Sequence, residues 1–156
     1  MHFTSPTKGA MNWEEVVDDL LAYIAEEPEL SYKIIIGTDS QVREDTYFVT
    51  AVVIHRVGKG ARYYYSRKVY ENIKSLRQRI FMEAATSLEI ASRLTQDLAA
   101  KGHTELDLEI HLDIGRNGET KEMIRDIVGM ITGSGFDAKI KPYSCGASTV
   151  ADKYTK

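Results

Sequence analysis

Four acidic residues, far apart in the chain, have the types and positions to share one task. Asp39 closes an apolar, β-branched run, Lys33-Ile34-Ile35-Ile36-Gly37-Thr38-Asp39, and small polar residues follow it. Such a run reads as a buried strand, and a carboxylate at its tip sits at the sheet rim where α/β proteins hold ligands. Asp113 closes a second strand-like run. If the two strands are parallel neighbours, their ends lie about 4.8 Å apart. Carboxylates at that spacing repel unless a cation lies between them. Glu83 lies in a long helical stretch at the border of its apolar stripe, from which it can reach over the sheet edge. Glu89 lies on the far side of that helix and is expected to be solvated. Asp152 stands near the start of a final helical turn. Oxygen donors with few His or Cys nearby favour Mg²⁺ or Mn²⁺ over zinc. Each acid also has a plain alternative: Asp39 capping a turn, Glu83 pairing with Arg79, Asp113 on the surface, Asp152 at a helix dipole.

The elements that must position these acids follow from hydrophobic period. Residues 1–12 read as irregular. Asn12 followed by Glu15 is a capping box, and Trp13, Val16, Val17, Leu20, Leu21 and Ile24 form a helical stripe. Strands are expected at about 32–39, 46–57 and 61–70, joined by short links, with Gly58-Lys59-Gly60 as a tight reversal. These three should form an antiparallel meander. A helix at 72–100 follows, then an alternating strand at 105–113, a helix at 119–133 and a short strand at 136–142. Ser148 caps a last helical turn. Helices between the later strands imply right-handed parallel crossovers. The expected architecture is α/β: a mixed five-stranded sheet with helices on both faces and an extra N-terminal helix.

The chain has 156 residues and a net charge of −3, enough for one domain with a real core. The charge is unevenly spread. Residues 1–52 hold 3 basic against 10 acidic residues, whereas residues 53–80 hold 8 against 1. The basic segment could face a polyanion or form a solvated hairpin. Within it Arg62, Arg67 and Lys68 flank Tyr63, Tyr64 and Tyr65, a pattern that grips phosphates and stacks bases or simply packs a strand. Lys153 is a further candidate for phosphate neutralisation. Cys145 is the only cysteine, and its partners for nucleophilic catalysis are not evident. With no apolar run long enough for a membrane and no leader pattern, the expectation is a cytoplasmic protein without membrane attachment.

The order of the acids, after the first long strand, in the long helix, after the fourth strand and in the last helix, resembles the ribonuclease H-like superfamily. Ile36-Gly37-Thr38-Asp39-Ser40-Gln41 and Ala147-Ser148-Thr149-Val150-Ala151-Asp152-Lys153-Tyr154 are similar to the YkuK family of bacterial proteins within it. The likeness runs from about Phe3 to Thr155, so residues 1–156 read as one ribonuclease H-like domain, with 1–31 as an N-terminal extension and helix. The resemblance implies that Asp39, Glu83, Asp113 and Asp152 hold divalent metal, Mg²⁺ or Mn²⁺, and act as catalytic groups. It implies a nuclease that hydrolyses phosphodiester bonds, with DNA or RNA as partner. The Asp-x-Glu motif of proofreading-type exonucleases is absent, because Gln41 stands where Glu would be. A noncatalytic nucleic-acid-binding or scaffold domain on the same fold is the alternative. A third reading, an ATP-handling domain of the actin-like kind, rests only on Asp113-Ile114-Gly115.

Overall fold

Asn12 starts the first helix as its side chain requires. It accepts from the Glu15 backbone N–H at 2.8 Å, and the Glu15 carboxylate accepts from the Asn12 N–H at 3.0 Å. The helix that follows, α1 (Trp13–Glu26), buries Trp13, Val16, Val17, Leu20 and Tyr23. Before it, residues 1–12 are not irregular. They form a hairpin of β1 (His2–Ser5) and β2 (Gly9–Asn12), and β1 also pairs with a later strand through Thr4 and Tyr65. The turn between the two strands ends at Gly9, whose φ of 74° suits glycine. Phe3 and Met11 point inward from the hairpin, and the Phe3 ring lies 5.6 Å from that of Trp13.

The structure is a computed structural model describing residues 1–115, 118, 120–141 and 154. Its meander is β3 (Tyr32–Val42), β4 (Thr46–Arg56) and β5 (Gly60–Tyr70), antiparallel throughout. Next come α2 (Leu76–Ala100), β6 (Asp107–His111), a 3₁₀ turn at Lys121–Met123, α3 (Ile124–Gly133) and β7 (Asp137–Lys139). Among the described residues the sheet has seven strands, not five, in the order β2-β1-β5-β4-β3-β6-β7. The two extra strands are the hairpin. The two crossovers are parallel as expected, β3 with β6 and β6 with β7.

Strand alternation divides the meander between two faces. Ile34, Ile36, Val52, Ile54 and Tyr64 face the main core, which is shared with α1, α2 and α3. Ile35, Val49, Ala51 and Val53 face the other side, with Tyr63, Tyr65 and Tyr154 packed against them. Helices α1, α2 and α3 all serve the main-core face, while Tyr154, which is helical, packs on the opposite face. The final turn expected after Ser148 lies outside the described residues, except for Tyr154. No described helix is long and apolar enough to cross a membrane.

Candidate active site

The register of β3 against β6 places the first two acids. The parallel ladder runs from Lys33 opposite Asp107 to Gly37 opposite His111. Asp39 and Asp113 each follow two residues beyond that last rung, so they share strand phase where β6 parts from β3. Asp39 is still paired with Val49 of β4 and is buried. Asp113 has left the ladder and is half exposed. Backbone bonds from Leu112 N–H to Lys139 O and from Lys141 N–H to Ile114 O hold the chain after β6 against the chain around β7.

Helix α2 brings the third acid. Its inward face includes Ala84, Ser87 and Ala91, side chains small enough to let the helix lie close on the sheet. Two polar rungs fix its register on β3. Thr38 Oγ1 lies 2.8 Å from Ser87 Oγ and 2.9 Å from Thr50 Oγ1. One turn earlier on the helix, Ser40 Oγ donates to Glu83 Oε2. Ser40 faces α2 and Asp39, by alternation, the other side of β3, but the Asp39 charge still reaches the Glu83 carboxyl. Burial, together with the charges of Asp39 and Asp113, pushes the Glu83 carboxyl up to about 8, against the Ser40 hydrogen bond and the Arg79 charge, which both lower it. Glu83 therefore feels both other acids. The alternative, an exposed acid paired with Arg79, does not describe it: Arg79 contributes charge, and the hydrogen bond comes from Ser40. Glu89 is exposed, as its helix position predicts.

Lys141, just past β7, completes the charges at this rim. Its Nζ lies 2.8 Å from Asp113 Oδ1. The hydrogen bond from Lys141 to Asp113, with the charges of Asp113 and Asp39, raises the Lys141 amine against the opposing effect of burial. No sequence motif announces this residue; only the return of β7 beside β6 brings it to the rim. Among the described residues, no three His, Cys, Asp or Glu side chains form a group that could hold a metal ion. Asp39, Glu83 and Asp113 thus share a field without being drawn into a tight cluster. Asp152 and Lys153 lie outside the described residues, as does Cys145.

The expected nucleic-acid residues separate. Arg62 lies on the α1 side, 3.3 Å from Asp19 Oδ2 and 4.7 Å above the Tyr23 ring. Tyr64 is fully buried on that side and donates to Asp19 at 2.6 Å. Tyr63 and Tyr65 lie on the other face. The Tyr65 ring stacks on Tyr154 at 3.8 Å, and the Tyr63 and Tyr154 hydroxyls are 2.9 Å apart. Arg67 donates to the Tyr154 carbonyl at 2.7 Å, and Lys68 is exposed. The sequence reading also missed a buried polar group on β6. His111 Nε2 lies 3.0 Å from Glu109 Oε1, and Lys33 Nζ lies 3.2 Å from Glu109 Oε2. Burial pulls Glu109 upward, but the His111 and Lys33 hydrogen bonds and charges hold it below the usual carboxylate range.

Residues 15–156 match the family described as ribonuclease H-like. The chain is also 39% identical over 166 aligned positions to "Uncharacterized protein YkuK" of Bacillus subtilis (strain 168), covering 99% of this chain and 96% of that protein. No solved structure matches.

Proposed function

The chain belongs to the ribonuclease H-like family, and within it we propose that this protein is a divalent-metal-dependent nuclease acting at the Asp39, Glu83 and Asp113 rim. One observation carries the reading: Glu83 of α2 stands in the combined field of Asp39 and Asp113, acids that share a phase two residues past the last rung between adjacent parallel strands. Three oxygen-donor side chains with an excess of negative charge have the chemistry a hard divalent cation selects, Mg²⁺ or Mn²⁺, but as they stand they form no metal-holding group and would have to draw together around the ion. Asp39, Glu83 and Asp113 would hold it, with Asp152 as a fourth candidate. The chemistry a bound ion supplies is neutralisation of charge developing on the phosphate, and water made acidic enough to attack at neutral pH.

The chain's own residues supply the rest. Asp39 is anchored by the β3–β4 ladder and gives the site a fixed acid. Ser40 aims one Glu83 oxygen and leaves the other for a ligand. Glu83 keeps a proton at neutral pH until a cation competes for the carboxylate. Lys141 neutralises Asp113 in the meantime and can turn to a phosphate when Asp113 is engaged. Arg67, Lys68 and Lys153 are proposed as backbone-phosphate contacts. Arg62 is occupied by Asp19 and is a weaker candidate for that role.

The test is cleavage of labelled single-stranded DNA, RNA, duplex and hybrid in Mn²⁺ and in EDTA. Metal-dependent cleavage lost in both Asp39→Asn and Glu83→Gln supports the reading. Cleavage that survives Asp39→Asn overturns it. The Lys141–Asp113 ion pair favours a second reading, a noncatalytic nucleic-acid-binding domain in which a lysine has the place of the cation. Nucleic-acid binding with no cleavage in any metal supports that alternative.

A further inference from the structure

One strand over from Ser40 and Glu83, a groove of about 400 Å³ opens between α2 and the ends of β4 and β5. Its floor is apolar: Phe48 and Ile90 are 2% and 4% exposed. Tyr70 meets the Phe48 ring edge-on, with centroids 5.4 Å apart at 85°. The α2 wall offers Thr86 and Glu89, and the β5 wall carries Arg67 and Lys68. The volume is that of a small-molecule pocket, which typically holds roughly 300–1,000 Å³.

The lining selects the occupant. The half-buried Tyr70 ring, backed by Phe48, gives the groove an aromatic wall that suits a flat ring. Glu89, exposed at the groove mouth, accepts hydrogen bonds and repels a free phosphate, so the part of a ligand beside it donates N–H groups and carries no negative charge. Lys68 attracts an anion to the opposite wall, whereas the Arg67 guanidinium is turned to the other sheet face, on the Tyr154 carbonyl. A flat, N–H-donating ring tethered to a phosphate is a nucleotide. The groove also sits where a neighbouring nucleotide would fall. Phe48 is the cross-strand partner of Ser40, and Thr86 lies one helical turn past Glu83, about 4.5 Å along the axis.

We propose that this groove receives one unpaired nucleobase of a single strand whose adjacent phosphate is presented to Asp39, Glu83 and Asp113, an inference that rests on the reading of that rim as a nuclease centre. A base stacked within a duplex cannot enter; a single-stranded or locally melted one can. The substrate class is therefore single-stranded nucleic acid.

The test measures binding of a labelled short oligothymidylate, a short oligouridylate and a blunt duplex by fluorescence anisotropy in EDTA, where no cleavage occurs. The single strands are expected to bind more tightly than the duplex. Thr86→Trp, which fills the groove, and Tyr70→Ala, which removes an aromatic wall, are each expected to weaken single-strand binding about tenfold. Both should leave Mn²⁺ binding unchanged, which also reports an intact fold. Lys68→Gln, on the exposed wall, should weaken binding without touching the core. The proposal is overturned if the three variants bind like the wild type, or if the duplex competes equally with the single strand. Groove-dependent binding without metal-dependent cleavage would retain the base pocket and remove the nuclease reading. Metal-dependent cleavage at full rate and affinity in Thr86→Trp would do the reverse.

Discussion

At Glu83 the folded chain keeps a proton that the unfolded chain releases near the ordinary carboxyl value of 4.5. Between that value and about 8 the native state binds more protons than the unfolded one, so stability falls as pH rises through this window. Glu83→Gln removes the liability. In EDTA, the variant is expected to gain on the order of 2–4 kcal/mol over the wild type at pH 9 and little at pH 4. Urea denaturation at the two values checks this, and equal pH dependence of the two proteins would refute it. Lys141 offers a second residue-level prediction. If it occupies the place of a cation beside Asp113, Lys141→Gln should tighten Mn²⁺ binding roughly two- to fivefold, as expected for removing an exposed ion pair. Weaker Mn²⁺ binding in that variant would mean that Lys141 supports the site rather than competing for it. The acids were legible in the sequence because strand tips and helix borders have periodic signatures. Ser40 and Lys141 were not, because their roles exist only once α2 and β7 have docked.

At the scale of elements, the N-terminal hairpin is fastened to α1 and β5 by one buried acid. Asp19 meets Lys8 of the β1–β2 turn, and Arg62 and Tyr64 of β5. Burial raises the Asp19 carboxyl, but the Lys8 and Tyr64 hydrogen bonds and the charges of Arg62 and Lys8 outweigh it and hold it below its ordinary 3.8. A depressed carboxyl stabilises above its unfolded value and loses that contribution as pH falls through the folded one. The hairpin should therefore loosen in acid, below about pH 4. Asp19→Ala leaves Tyr64 and Arg62 without their partner and should cost about 3 kcal/mol or more at neutral pH. Thermal unfolding of the variant at pH 7 measures this; an unchanged midpoint would show that the latch is dispensable. The hairpin escaped the sequence reading for a physical reason. Its strands have four residues each, and only Phe3 and Met11 of them are buried and apolar, Ser5 being buried but polar, too few to show a hydrophobic period of two. Asn12 ends β2 and caps α1 at once, and the cap is the stronger signal. The strand expected at 105–113 had the opposite fault. Its alternation continues to Asp113, but the paired strand ends at His111, because the chain there leaves β3 and forms the rim that carries the acid.

For the whole molecule, the uneven charge of the sequence resolves largely inside the fold. Arg56 pairs with Glu26 and Glu27, Lys59 with Glu27, and Arg62 with Asp19 and Glu26. Three of the eight basic residues in the segment thus answer the acidic N-terminal part, which leaves Arg67, Lys68, Lys74, Arg77 and Arg79 for a polyanion. The sequence could report the imbalance but not which acids would fold against it. If Arg67 and Lys68 contact phosphates, the double variant Arg67→Gln/Lys68→Gln should lower the slope of log affinity against log salt by roughly 1 to 2. The same change at Arg56 should instead destabilise the fold, since its guanidinium is buried and stacks 4.0 Å above Tyr23.

The nuclease reading stands or falls on whether Asp39 helps to bind a divalent ion. Isothermal titration of Mn²⁺ into the full-length wild type and into Asp39→Asn, at one pH and ionic strength, asks this without a guessed substrate. Saturable binding by the wild type, reduced at least tenfold or lost in Asp39→Asn while the variant unfolds at a similar temperature, is the expected outcome. Equal Mn²⁺ affinity in the two proteins would contradict it.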